Sequence, residues 1–152
     1  MTIAPALADE VVEELVQVLG TEHVHTSKTA RMARARVPAP FPVHRWAEYV
    51  PDLVVTPATT EQVAEVVRLA NRYRIPLVPR DGGTGLTDGA RPERRGIVVD
   101  VKRMNQIEEI DLDNRTCTVG VGINMLKLNE VLGVHGLIYP DNPASYPCSL
   151  VG

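Results

Sequence analysis

The sequence predicts an α+β chain in which a small parallel βαβ unit is followed by the start of an antiparallel subdomain. Three observations predict it. Residues 53–78 run through a β-branched strand, an amphipathic helix and a second strand. A crossover of that length returns the chain to the same end of a sheet and makes the two strands parallel. Residues 107–121 hold two short apolar segments around Asp113-Asn114, the pattern of an antiparallel pair. Between these regions lie Gly82, Gly83, Gly85, Gly89 and Gly96, five of the eleven glycines, with no helical periodicity among them.

Taken in order, Val11, Val12, Leu15, Val18 and Leu19 fall near helical spacing, with acids in the first turn and Gly20 as a stop, so residues 7–19 read as a surface helix. Lys28, Arg31, Arg34 and Arg36 form a stretch without acids, followed by Pro38, Pro40 and Pro42. Alternating prolines oppose both helix and sheet pairing, so residues 26–45 read as an irregular or extended arm whose basic residues form a solvated face, the alternative being contact with a phosphate or an acidic partner. Leu53–Val55 is a strand. Thr59 and Gln62 have capping-box spacing, and Val63, Val66, Val67 and Ala70 make one stripe, which predicts a helix over 60–73 ended by Pro76. Leu77-Val78 and Gly96–Val101 are further strands. Ile107–Leu112 and Thr116–Val121 form the antiparallel pair. Asn124 caps a helix that buries Met125, Leu128 and Leu132 and ends at Gly133.

Composition bounds the function. With 152 residues, 44% hydrophobic, the chain has the length of one domain with a real core, which excludes disordered, collagen-like and disulfide-scaffold classes. A net charge of −3 is a poor footprint for nucleic acid, whose binders need surplus Lys and Arg. No apolar run approaches a membrane span, and residues 1–20 carry acids but no Lys or Arg, the wrong pattern for a secretory or transit segment. Cys117 and Cys148 lack metal-ligand spacing and read as reduced thiols, so a cytoplasmic location is expected. His23 and His25 alternate and could share one side of a strand, but no third ligand is near in sequence, so no metal site is expected.

The loudest chemistry is Pro79-Arg80-Asp81-Gly82-Gly83-Thr84-Gly85-Leu86, directly after the second parallel strand. Ligands of α/β units bind at the carboxyl ends of parallel strands, and glycine lets backbone N–H groups approach an anion. A P-loop is excluded because no lysine lies between Lys28 and Lys102. A Rossmann fingerprint is excluded because Gly83-x-Gly85 is followed at the third position by Asp88 rather than glycine. The stretch is either a nest of amides for a phosphate or pyrophosphate, or a flexible connection that lets the chain cross the sheet.

The runs Pro51–Pro57, Ile75–Leu86, Ile97–Asn105 and Tyr139–Ser145 resemble the FAD-binding domain of the vanillyl-alcohol oxidase / p-cresol methylhydroxylase flavoproteins (the PCMH type). The likeness is nearest to the FAD-linked oxidase branch that includes the glycolate oxidase D subunit and D-lactate dehydrogenases. It covers residues 50–152, leaving residues 1–49 as an N-terminal helix and Pro-rich arm. It implies an α+β domain whose parallel and antiparallel subdomains clasp FAD. The diphosphate loop would fall on Pro79, Arg80, Asp81, Gly82, Gly83, Thr84, Gly85 and Leu86 with Gly89, and a second turn on Pro140, Asp141, Ser145 and Gly152. In that picture the amides of residues 82–85 and the Thr84 hydroxyl serve the diphosphate, the Pro143 turn holds Ser145 near the flavin, and Arg80 orders the loop or neutralises the anion.

The family usually has glycine where this chain has Asp81 and Asp88. A carboxylate beside a diphosphate is unfavourable unless it turns away or finds a donor, so Asp81 either meets a ribose or sheet-edge donor, the favoured expectation, or weakens FAD binding. None of His23, His25, His44 and His135 lies in the loop, which implies noncovalent FAD. The family's remaining antiparallel strands and cap domain correspond to nothing in residues 1–152. The expected function is therefore FAD binding within an oxidoreductase acting on a 2-hydroxy acid or similar CH–OH substrate. This chain alone would not be catalytically competent, and its partners would be the remainder of the flavoenzyme or a redox subunit. The alternative is a small non-catalytic binding or assembly module.

Overall fold

The computed structural model describes residues 9–38 and 43–152, so the expectations for Pro40 and Pro42 lie outside the described residues. Helix α1 (Asp9–Leu19) leads through a 3-10 turn into β1 (Val24–His25) and α2 (Lys28–Arg34). A second 3-10 segment, Val43–Tyr49, precedes β2 (Leu53–Val55), α3 (Thr60–Tyr73), β3 (Leu77–Arg80) and β4 (Ile97–Asp100). The antiparallel pair β5 (Ile107–Asp111) and β6 (Thr116–Val119) follows, then α4 (Met125–Gly133).

The four-stranded sheet has the order β1-β2-β4-β3, with β2, β4 and β3 parallel and β1 antiparallel at the edge. The βαβ unit is present, but β4 inserts between its two strands. Buried on both faces, β2 and residues 97–99 of β4 are continuous apolar runs, as expected of central parallel strands, and β4 ends in the buried Asp100. On one face Leu53, Val55, Ile97 and Val99 pack against Val11, Leu15 and Leu19 of α1 and Val66 and Leu69 of α3. Helix α1 thus shares the sheet's own core. A second core gathers Ile123, Leu128 and Leu132 with Ile107, Ile110, Cys117 and Val119 of the antiparallel pair.

Two expectations are corrected. The irregular or extended arm expected over residues 26–45 is helical at Lys28–Arg34: Ser27 Oγ accepts the Ala30 N–H and starts α2. The basic side chains of α2 find specific acceptors. Arg31 Nη1 donates to the carbonyls of Pro51 and Asp52, and Arg34 reaches the fully buried Asp100. Likewise Pro76 does not itself end α3. Arg74 adopts the left-handed conformation (φ 54°) and the Ile75 N–H returns to the Ala70 carbonyl at 2.8 Å, closing the helix two residues earlier.

Candidate functional site

The glycine-rich loop leaves the carboxyl end of β3 and reaches β4 without an intervening helix, so any anion there must be held by loop amides and neighbouring segments. The opposite wall is the turn after α4. Asn124 builds it: its Oδ1 accepts the N–H groups of Leu126 and Lys127, while its Nδ2 donates to the carbonyls of Pro147 and Ser149. One side chain therefore starts α4 and fixes the turn. Asn129 holds the same segment from the other side, exchanging hydrogen bonds with the Tyr139 backbone at 2.6 and 3.1 Å.

Between the walls lies a cleft of about 620 Å³, within the range of cofactor sites. Pro79, Arg80, Asp81, Thr84, Gly85 and Gly89 line one side, and Asp141, Ser145 and Gly152 the other. Gly83 and Leu86 face an adjoining cleft of about 570 Å³ shared with Pro143, Ser145 and Cys148. Gly82 and Pro140 line neither. Residues about sixty apart in sequence thus meet across one crevice.

The glycines of the loop have two distinct jobs. A Cβ on Gly82 would lie 2.6 Å from the Cys148 carbonyl oxygen. Gly83 has φ +66°, and a Cβ there would lie 2.8 Å from Arg80 Nη1 and nearer still to Nη2. These two are required by packing. Gly85 and Gly89 have nothing within 4 Å of such an atom, so their bare backbone faces the open side, where a ligand can approach.

Asp81 does not reach a sheet-edge donor, which corrects that expectation: its Oδ1 accepts the Gly83 N–H at 2.9 Å. A side-chain acceptor two residues back closes this local turn, so that amide already has a partner. Among the described residues the N–H groups of Gly82, Thr84 and Gly85 meet no acceptor. Asp88 sits at φ 64°, where glycine would be unstrained, and its carboxylate turns to Arg91 at 2.9 Å.

Sequence reading missed Ser149. It is buried, with its Oγ 2.8 Å from Ser145 Oγ and 3.3 Å from Thr84 Oγ1, so three hydroxyls link the two walls. The Ser145-x-x-x-Ser149 spacing, one helical turn, was the available signal. Arg80 is 8% exposed, and burial lowers its pKa from the ordinary guanidinium value while Asp100 opposes that shift. The cleft thus offers hydroxyls, amide dipoles and one guanidinium, beside the carboxylates of Asp81 and Asp141. Such donors suit the anionic middle of a dinucleotide, and the open Gly85 backbone gives it a place to lie.

Fold and cleft together are those of a nucleotide-cofactor-binding domain of the α+β type. Residues 51–152 match the FAD binding domain family, and the chain belongs to it. FAD is the cofactor of that family. Glycolate oxidase subunit GlcD of Bacillus subtilis is 34% identical over 146 residues, covering 96% of this chain and 30% of that protein. D-lactate dehydrogenase of Archaeoglobus fulgidus is 36% identical over 100 residues, covering 66% of this chain and 22% of that one. The structure of alkyldihydroxyacetonephosphate synthase superimposes with a TM-score of 0.88 at 26% identity, covering 100% of this chain and 29% of that chain. p-Cresol methylhydroxylase shares the fold with a TM-score of 0.81 at 24% identity, covering 93% of this chain and 27% of that one. The chain spans less than a third of the length of each of these proteins. Among the described residues no helix is long and apolar enough to cross a membrane, and no group of metal-ligating side chains is assembled.

Proposed function

We propose that this chain supplies the FAD-clasping portion of an oxidoreductase that acts on a 2-hydroxy acid or similar CH–OH substrate, with the flavin held noncovalently. The observation that carries the reading is the cleft in which the open backbone of Gly85 and Gly89 faces the hydroxyls of Thr84, Ser145 and Ser149. The substrate class is supported by relatives named for glycolate and D-lactate oxidation. Bound FAD would supply hydride-accepting chemistry.

The chain's own residues bind and orient. The 82–85 loop and Arg80 would hold the diphosphate, and the Pro143–Ser149 turn would carry the wall towards the flavin. No histidine falls in the 79–89 loop, the ground for expecting noncovalent attachment. Substrate oxidation also needs a base for the hydroxyl proton and a cation for the carboxylate. The reading assigns neither to these residues and expects them from the remainder of the flavoenzyme or a partner subunit. A cytoplasmic setting belongs to the same reading and is supported by the two free thiols, Cys117 and Cys148.

The test is the visible spectrum and thermal melt of the purified chain with added FAD. A shifted flavin band and a raised melting temperature are expected. Their absence at saturating FAD would overturn the reading in favour of a non-catalytic binding or assembly module. With D-lactate or glycolate added, residues 1–152 alone are expected to show no turnover; measurable turnover would refute the division of labour.

A further inference from the structure

The loop's most unusual support comes from outside the residues that match the family. Arg34, the last residue of α2, donates from Nε to Oδ2 of Asp100 at 3.0 Å and sets Nη2 2.9 Å from the same oxygen in an ion pair; the Asp100 side chain is fully buried at the end of β4. The other carboxylate oxygen accepts the Lys102 N–H at 3.2 Å. Arg80 of β3 is the register partner of Asp100, so the two side chains leave the same face of the sheet on adjacent strands. Yet the Arg80 guanidinium is not paired with that carboxylate. It runs instead beneath the loop, against the Cα of Gly83, and its Nη1 donates to the Arg34 carbonyl at 3.4 Å.

Besides His25, whose pKa burial lowers, one buried carboxylate thus has two arginines within electrostatic reach, and the fold gives it the one from α2. A buried carboxylate that loses its partner is strongly unfavourable and draws in the nearest available cation. Without the Arg34 guanidinium, that cation is Arg80. Moving to Asp100 would withdraw Arg80 from under Gly83, and the turn that Gly83 closes with Asp81 would lose its floor.

We propose that Arg34 is a positioning residue for the cofactor loop: by satisfying Asp100, it leaves Arg80 free to support the Gly82-Gly83 turn. Helix α2 is on this account part of the cofactor site, although it precedes the matched segment 51–152. The inference rests on the FAD reading above only for its consequence in binding. The loop geometry it predicts is testable without any cofactor.

The experiment compares the wild-type chain, Arg34→Met, and the double variant Arg34→Met/Asp100→Asn by amide hydrogen exchange without cofactor and by FAD titration. Asparagine keeps the shape of Asp100 but carries no charge to capture Arg80. Arg34→Met is expected to speed exchange at residues 81–85 while leaving α3 protected, and to weaken FAD binding about tenfold, the size that coupling within one network produces. The double variant is expected to recover loop protection and affinity towards wild type. A purely structural role for Arg34 predicts instead that exchange speeds up across the sheet and α3 as much as at residues 81–85, and that result would overturn the proposal. So would unchanged exchange in the loop of Arg34→Met. If Arg34→Met does not fold, Arg34→Gln, which also removes the charge but keeps a polar side chain, carries the same comparison with and without Asp100→Asn. If the wild-type chain binds no FAD, the functional reading falls, while the exchange data still decide the role of Arg34.

Discussion

Replacing Gly83 by alanine separates packing from binding in the cofactor loop. At φ +66° an L-residue is strained, at a cost of about 1–2 kcal/mol. The added methyl group would also overlap the Arg80 guanidinium, which is 8% exposed and has little room to retreat. Overpacking of this kind typically adds about 1–3 kcal/mol. Together these terms give about 2–5 kcal/mol. For a chain of this length each kcal/mol lowers the melting temperature by about 2–4 °C, so a mid-range loss of about 3 kcal/mol corresponds to about 6–12 °C. Thermal unfolding without cofactor, followed by circular dichroism, reads the stability, and FAD titration reads the site. The companion variant is Gly85→Ala, where the new methyl group meets nothing within 4 Å. It is expected to melt like wild type but to bind FAD more weakly, because the methyl group occupies the open side of the cleft. A Gly83→Ala protein that melts within about 2 °C of wild type would refute the packing account, since the cited costs predict more.

Asp81→Asn keeps an acceptor for the Gly83 N–H but removes a negative charge from the cleft. For a separation of about 6 Å and effective dielectric constants between about 80 and 20, one charge repels another by about 0.7–3 kcal/mol, so FAD affinity should rise at least about threefold. Isothermal titration at low salt measures it, and an unchanged affinity would show that the carboxylate points away from the anion. Asn124→Ala removes a helix cap and two anchors of the Ser149 turn together. It should cost about 1–2 kcal/mol through the cap alone and lower the urea midpoint accordingly, with weaker FAD binding as a second effect. The pH dependence follows from His25, whose pKa is lowered from 6.5 by burial first and then by Arg34 and His23, against an opposing pull from Asp100. Between the lowered value and 6.5 the unfolded chain binds more protons than the folded one. Stability should therefore fall as pH drops through that window and be insensitive to His25 above it. Urea midpoints across that range should show the slope in wild type and a reduced slope in His25→Gln.

Much of the fold was legible because it rests on local chemistry. The Thr59 cap and the stripe of α3 are features of neighbouring residues, and the structure has Thr59 Oγ1 accepting the Gln62 N–H as the spacing implies. The Asn124 cap and the β5–β6 turn are equally local, the latter closed by Asp111 accepting from Asn114. Helix α2 was not legible. Lys28–Arg34 has no apolar stripe of its own and precedes alternating prolines, and the acceptors of its arginines lie 20 to 66 residues away in sequence.

The candidate site divides in the same way. By itself the sequence determined that a glycine-rich loop follows a parallel strand, that it is neither a P-loop nor a Rossmann turn, and that its motifs are those of an FAD-binding domain. Only the tertiary structure decided which glycines serve packing and which leave the backbone open, because that depends on what stands opposite. Cys148 and Arg80 stand opposite Gly82 and Gly83, and open space stands opposite Gly85. It also decided that Ser149 joins Thr84 and Ser145, and that Arg34 satisfies Asp100. These are pairings between distant segments, and the packing that brings such segments together also sets how strongly charges and hydroxyls act, because burial removes the water that would otherwise screen or satisfy them.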